Sequence, residues 1–385
     1  MDTLLITLAV FTLALWLPIS LWWLWGMSRV RRLEDGTDVP ELSSYPSLSV
    51  IIPARNEADS IETALESVLA QDYPDLEIIA LNDRSDDGTG AILDALQQRH
   101  PRLNVVHIDT LPDGWLGKNH ALYVGANRSR GDWLLFTDAD VTYEPGTLRT
   151  TVAFATQNNL DHLAALPYFV TRSVWMTSFV SAFALLFSVY SQFWNAANPN
   201  SRAFIGVGAF GLVRREVYER AGTHQAIALR PDDDIMLGKK IKQSGGRQEA
   251  VFAPELLSVE WYPDLKTAVR GLNKNAFAGL DYNPLFAVIV AVSLTITHVL
   301  PFGAVFFGPW LARGLFGSSL LIIFGVYAYN QRFSKVPFWY AVLHPVGVAV
   351  LVYAMLESTV KALVTGGIEW RGTRYSLEEL RRSGK

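Results

Sequence analysis

The chain has 385 residues, half of them hydrophobic, with 12 Trp, 14 Tyr and 20 Phe; that is room for two domains and a composition suited to contact with lipid. A net charge of −4 gives no ground for nucleic-acid binding. With no cysteine, disulfides and thiolate metal sites are excluded, and the seven histidines show no metal-ligand spacing.

From Thr3 to Met27 no residue is charged, and Arg29, Arg31 and Arg32 follow. A helix of that length spans the ~30 Å hydrocarbon core of a bilayer. A cleavable signal peptide fits poorly, because the run is too long, lacks a basic start and has no small-residue cleavage site. Residues 1–28 therefore read as a retained anchor with its C-terminal end in the cytoplasm, and 29–46 as a linker. Next, Leu48–Pro53 has the pattern of a buried strand. Asp59-Ser-Ile-Glu62 has capping-box spacing ahead of a helical face of Ile61, Ala64, Leu65, Val68 and Leu69. Strands at Leu76–Leu81, Asn104–Ile108 and Trp133–Thr137 then alternate with helices at Thr89–Gln98 and Asn119–Asn127. This order predicts an α/β fold with a mostly parallel sheet, spanning 47–260, whose ligands bind beyond the C-terminal strand ends. Asp83, Asp138 and Asp140 stand at such ends.

Trp175–Trp194 is strongly apolar but carries Ser181, Ser188, Ser191 and Gln192, and reads as an interfacial helix or buried core, or as one wall of a lipid-facing acceptor groove. Residues 261–283 read as an amphipathic, interfacial segment. A membrane region over 284–360 contains apolar runs at Leu285–Trp310, Leu315–Tyr329 and Val336–Leu356. Pro301 and Pro309 interrupt the first and the second is short, so one of the three is expected not to cross. A basic tail, 361–385, ends the chain.

Two groups of carboxylates carry chemical meaning. In an extended chain Asp138 and Asp140 fall on one side, and paired carboxylates suit a hard cation, Mg²⁺ or Mn²⁺, that takes its other ligands from water and a diphosphate. Pro231-Asp-Asp-Asp234 precedes a helical pattern ended by Gly245-Gly246. One Asp there suits a helix N-cap. Three exceed what a cap needs, and crowded like charges raise a carboxyl pKa toward useful basicity.

Ser49-Val-Ile-Ile-Pro-Ala-Arg-Asn-Glu57, Asn82-Asp-Arg-Ser-Asp-Asp-Gly-Thr89 and Asp138-Ala-Asp140 resemble the donor half of inverting family 2 glycosyltransferases of the GT-A fold. Gly206-Val-Gly-Ala-Phe-Gly-Leu-Val-Arg-Arg215 and Asp232-Asp-Asp-Ile-Met-Leu-Gly238 resemble the acceptor half. Within the family the chain is most similar to membrane enzymes that glycosylate lipids: ceramide glucosyltransferases and hopanoid- and carotenoid-associated transferases. The resemblance implies that Asp83 binds the nucleotide base, with Pro53, Asn56 and Glu57 lining that pocket. It further implies that Lys118 stands near the donor phosphates, that Asp138 reaches ribose or metal, that Asp140 ligates the metal, and that Asp234 is the catalytic base with Asp233 as the alternative. The implied partners are a nucleotide sugar, foremost a UDP-sugar, a lipid acceptor and the cell's inner membrane, with the catalytic domain in the cytoplasm.

The family's Gln-x-x-Arg-Trp is missing. Arg270-Gly-Leu-Asn-Lys274 stands at about its place, with Arg270 and Lys274 expected on one helical face to clamp the diphosphate. The missing Trp favours a single transfer over polysaccharide synthesis. A processive synthase and a polyprenyl-phosphate sugar synthase are the rival enzymes, and a non-enzymatic scaffold the rival outside enzymology. Gly366-Gly-Ile-Glu-Trp-Arg-Gly-Thr-Arg-Tyr375 resembles the ending of lipid-modifying members, and nothing physical in the sequence assigns it a role.

Overall fold

A computed structural model describes residues 1–34, 39–272, 276–370 and 373–378. It divides into two compact units. One comprises residues 30–170 and 191–260, the other residues 1–29, 171–190 and 261–385.

The first unit is built on an eight-stranded sheet. In chain order its strands are β1 (Arg31–Arg32), β2 (Leu48–Ala54), β3 (Leu76–Asp83), β4 (Leu103–Ile108), β5 (Trp133–Phe136), β7 (His162–Leu166), β9 (Gly211–Arg214) and β10 (Gln248–Phe252). Strands β6 (Val141–Tyr143), β8 (Tyr168–Phe169) and β11 (Leu257–Val259) form a small second sheet. The large sheet runs β1-β10-β7-β9-β5-β2-β3-β4. All its pairings are parallel except those of β9 with β5 and β7. Both faces are buried, and the pleat sorts β2 between them: Leu48, Val50 and Ile52 join one apolar cluster and Ile51 the other. Pro53 costs no ladder bond to β5, because that pairing ends at Ile51.

Helices α2 (Ile61–Leu69), α3 (Thr89–Arg99), α4 (Gly117–Arg128), α5 (Thr147–Gln157), α7 (Arg215–Arg220) and α8 (Asp233–Gln243) complete this unit. The expected strands and helices up to β5 form within a residue or two of their predicted ends. The capping box does not. Ser60 is the N-cap of α2 and makes no side-chain cap. Instead the Glu57 carbonyl accepts the N–H groups of Ser60 and Ile61, so the helix starts from the backbone of the preceding loop.

The second unit holds α1 (Asp2–Met27), α6 (Val174–Ser191), α9 (Leu265–Leu272) and α10 (Pro284–Leu294), which a π-helical turn (Thr295–Val299) joins to α11 (Leu300–Ala304). Helix α12 (Trp310–Ser334), a 3₁₀ stretch (Phe338–Leu343) and α13 (His344–Thr365) follow, and strands β12 (Gly367–Trp370) and β13 (Thr373–Ser376) make a terminal hairpin. Among the described residues, five helical segments are long and apolar enough to cross a membrane: 2–27, 174–195, 284–304, 310–334 and 338–365. The protein is membrane-associated.

One apolar segment departs from the sequence expectation. Segment 310–334 is 25 residues long, because Arg313 and the polar residues after Tyr329 continue the helix. Residues 171–190 group with the apolar helices rather than with the domain around them. One of its serines is satisfied inside that unit: Ser188 Oγ accepts the Trp23 indole N–H at 2.7 Å and donates to Leu185 O at 2.6 Å.

Candidate active site

The candidate residues of the first unit lie on loops at the C-terminal ends of β2, β3 and β5 and at the N-termini of α4 and α8. Lys118, in the first turn of α4, joins the two acidic groups. Its Nζ lies 2.9 Å from Asp138 Oδ1 and 3.2 Å from Asp233 Oδ2. Burial alone would lower the Lys118 pKa, but Asp138, Asp233 and Asp234 outweigh it and hold the ammonium charged.

The α4 turn is tied to the chain that delivers the aspartates. The Leu116 N–H donates to Ala228 O at 2.8 Å, and the buried Asn119 amide donates to Ile227 O at 2.7 Å and Arg230 O at 2.9 Å. Arg230 in turn forks onto Asp232 at 2.8 and 2.7 Å. The three aspartates therefore part ways: Asp232 to Arg230, Asp233 to Lys118, Asp234 elsewhere. Asp232 is the N-cap residue of α8 yet makes no side-chain cap.

Asp234 takes Gly208 N–H on Oδ2 and Ile235 N–H on Oδ1, both at 2.8 Å. Burial first, and then Asp233, raise its pKa to about 7 against the opposing pull of Lys118. A carboxylate held near neutral pH is suited to accept a proton.

Gly206 and Gly208 make this approach feasible. A Cβ on Gly206 would lie 1.7 Å from Asp234 O, and one on Gly208 would lie 2.6 Å from Asp138 Oδ2. The same loop is bonded to the end of β5, through Asp138 N–H to Gly208 O at 3.0 Å and Thr137 Oγ1 to Ala209 O at 2.8 Å. Because the Gly206 clash is with backbone, Gly206→Ala is expected to destabilise the unit by about 1–3 kcal/mol, the usual cost of overpacking, and to misplace Asp234. A denaturant melt compared with Gly279→Ala, where added carbon meets nothing within 4 Å, checks this.

Asp138 and Asp140 do not lie on an extended strand, since β5 ends at Phe136 and both sit in the link to β6. Alternation along a strand is therefore not what relates them. Burial, then Asp138, then Glu57 raise the Asp140 pKa to about 7, so the carboxylates do crowd one another. Among the described residues no three acidic or imidazole side chains converge as a preformed metal cage. An ion of the Mg²⁺ or Mn²⁺ kind needs only one or two carboxylates when water and diphosphate supply the rest, and the crowded negative charge at Asp140 fits a divalent cation.

The carboxylate of Asp83 is buried at the end of β3 and forked by Arg84 at 2.7 and 3.0 Å. It faces the start of α4, where a Cβ on Gly117 would lie within 2.6 Å of the Arg84 guanidinium. Asn56 braces the adjacent loop, bonding both ways to Asp86 at 2.7 and 3.0 Å, and the Glu57 N–H donates to Thr89 Oγ1 at 2.8 Å. Pro53 closes β2 beside them. Arg270 stands on α9 of the helical unit. Lys274 lies outside the described residues.

Two histidines that sequence spacing did not single out line the floor of the site. A cavity of about 20 Å³, room for about one water, is bounded by Lys118, Asp138, His162, His224, Asp233 and Asp234 among others. Burial lowers the His162 pKa to about 4; burial and Lys118 lower that of His224 to about 3, so both rings are neutral. The Tyr218 hydroxyl accepts the His224 backbone N–H at 3.2 Å and lies 2.8 Å from His224 Nδ1. No local motif marks these residues, because strand pairing and a 3₁₀ turn (His224–Ile227) bring them in.

With this geometry in view, residues 49–222 match the family model of Glycosyl transferase family 2. The chain carries a family 2 glycosyltransferase domain. The glycosyltransferase is 24% identical over 351 residues to the 4,4'-diaponeurosporenoate glycosyltransferase of Staphylococcus aureus (strain bovine RF122 / ET3-1), covering 87% of this chain and 90% of that one. Against the protein of the same name from strain USA300 identity is 28% over 186 residues, 48% of each chain. Among solved structures, the mannosyltransferase PcManGT from Pyrobaculum calidifontis, in complex with GDP-Man and Mn²⁺, matches with a TM-score of 0.55 at 20% identity, covering 91% of this chain and 99% of that one. That likeness is one of fold, and the fold is GT-A.

Proposed function

We propose that this glycosyltransferase moves one sugar from a nucleotide sugar, foremost a UDP-sugar, to a hydroxyl of a membrane lipid, with inversion at the anomeric carbon. The observation that carries the reading is Lys118, which draws together Asp138 on the donor side and Asp233 beside Asp234 on the acceptor side. Asp234 takes the proton of the acceptor hydroxyl as its oxygen bonds to the anomeric carbon and the bond to the diphosphate breaks. One displacement inverts the centre, so no enzyme nucleophile is required. Lys118 holds positive charge where negative charge collects on the departing diphosphate. Asp83, with Pro53, Asn56 and Glu57, borders the base pocket. Asp138 and Asp140 would hold Mg²⁺ or Mn²⁺, which when bound supplies Lewis-acid stabilisation of the leaving group. The catalytic unit works in the cytoplasm at the cell's inner membrane.

Loss of transfer in excess chelator and its return with Mn²⁺ or Mg²⁺ is the expected result of a radiolabelled-donor assay. Full activity in chelator contradicts the metal.

A second reading has a specific basis. The relatives named above take their name from a carboxylate, and a lipid carboxylate needs no base. The raised pKa of Asp234 favours the hydroxyl. Mass spectrometry of lipids from cells with and without the gene, before and after mild alkali, separates the two. A sugar–lipid linkage that survives alkali supports the hydroxyl, and one that alkali cleaves indicates an ester.

A further inference from the structure

We propose that the chain crosses the bilayer three times, and that its last apolar segment, 338–365, dips to mid-depth and returns to the face it left. This rests on the membrane reading above but not on the reaction.

Helix α1 sets the scale. Near its middle, the Trp16 indole N–H donates to Thr297 O at 2.8 Å and its ring meets His298 edge-on at 4.8 Å. The π-turn 295–299 therefore lies level with the centre of α1. The end of α11 packs near the start of α1, where Ala304 and Val305 join Leu5 and Ala9, so segment 284–304 runs opposite to α1. Helix α12 then runs with α1, since Ala312 and Phe316 pack on Ala9, and Tyr329 meets Trp23 at 5.9 Å. Arg332 and Lys335 thus end at the same level as Arg29, the basic face assigned to the cytoplasm.

From there the chain turns back inward. The Phe338 N–H donates to Gln331 Oε1 at 3.0 Å, and His344 Nδ1 lies 3.0 Å from the Tyr327 hydroxyl. His344 Nε2 lies 2.9 Å from His298 Nδ1. The first residue of α13 is therefore beside the central π-turn. Helix α13 packs on that turn, on α10 and on α9. Those elements lead from the cytoplasmic face up to the turn, whereas α11, which continues past it, packs on α1 and α12. Direction follows: α13 heads back out. Glu357 and Lys361, an i,i+4 ion pair, come about 20 and 26 Å along the helix from His344, beyond the ~15 Å half-thickness of the core.

The polar groups at the turning point have partners, as irregular backbone at that depth requires. Leu343 O accepts the Ser178 hydroxyl at 2.7 Å, and Pro345 has no N–H to satisfy. Both ring nitrogens of the fully buried His344 are matched, by Tyr327 and His298. Helix α6, which supplies Ser178, also stays on one side. Its flanks, up to Val170 and from Ser191, belong to a single compact unit. The terminal hairpin then lies on the cytoplasmic side, in keeping with its basic residues.

The chain has no cysteine, so single substitutions report sidedness in the full-length protein. Gln98→Cys, Glu378→Cys and Asp2→Cys variants would be treated with a membrane-impermeant maleimide in right-side-out and inside-out vesicles. Gln98→Cys and Glu378→Cys are expected to react from one face and Asp2→Cys from the other. Reaction of Glu378→Cys from the face that labels Asp2→Cys overturns the proposal. A fluorescent protein that matures only in the cytoplasm, fused after Lys385, gives a second readout: bright cells support the re-entrant segment, and dark cells with intact fusion overturn it. Neither measurement depends on activity, so failure here is distinct from failure of the enzymatic reading.

Discussion

Asp234→Asn is expected to lower turnover about 10²–10⁴-fold, the usual cost of removing a general base, with donor affinity kept. The substitution is not silent in stability. Both carboxylate oxygens accept a backbone N–H, from Gly208 and Ile235, and an amide offers only one acceptor. Its NH₂ must face a donor, at a cost of about 1–3 kcal/mol. A helix cap would have tolerated Asn without loss, so a melting temperature falling together with turnover separates the two roles. Asp233→Asn removes a partner of Lys118 instead, and should weaken donor binding more than turnover. If Asp233→Asn is inactive and Asp234→Asn turns over normally, Asp233 is the base. An acceptor carboxylate would leave both variants active.

Asp140→Asn should abolish metal-dependent transfer while stabilising the metal-free protein. Asp140 is half-buried and feels the charges of Asp138 and Glu57, and removing one of three crowded charges relieves their repulsion. Thermal melts with and without Mn²⁺ check both halves. The parent should gain stability from the ion in the presence of nucleoside diphosphate. The variant should start higher and gain little. A variant that melts lower without metal and still responds to Mn²⁺ would remove Asp140 from the metal site.

Much of this was legible because local pattern and global fold agree. Strand–helix alternation with loop aspartates at strand ends specified the sheet through β5, and the apolar runs marked the membrane helices. Where the sequence misled, tertiary partners decided. Asp138 and Asp140 suggested strand alternation, yet β5 stops at Phe136. His162 and His224 carry no spacing signal, because they reach the site from a strand and a turn distant in sequence. Asn119 looked like an ordinary helical residue beside Lys118, and its amide instead anchors the approach to the three aspartates.

The central claim is a single inverting transfer driven by Asp234. The most direct measurement is the product made by the purified enzyme from an α-linked nucleotide sugar and extracted membrane lipid, analysed by mass spectrometry and by proton NMR of the anomeric centre. One sugar per lipid, in the β configuration, and none from the Asp234→Asn enzyme, is the predicted result. A ladder of sugars, an α-linked product, or undiminished product from Asp234→Asn would contradict it.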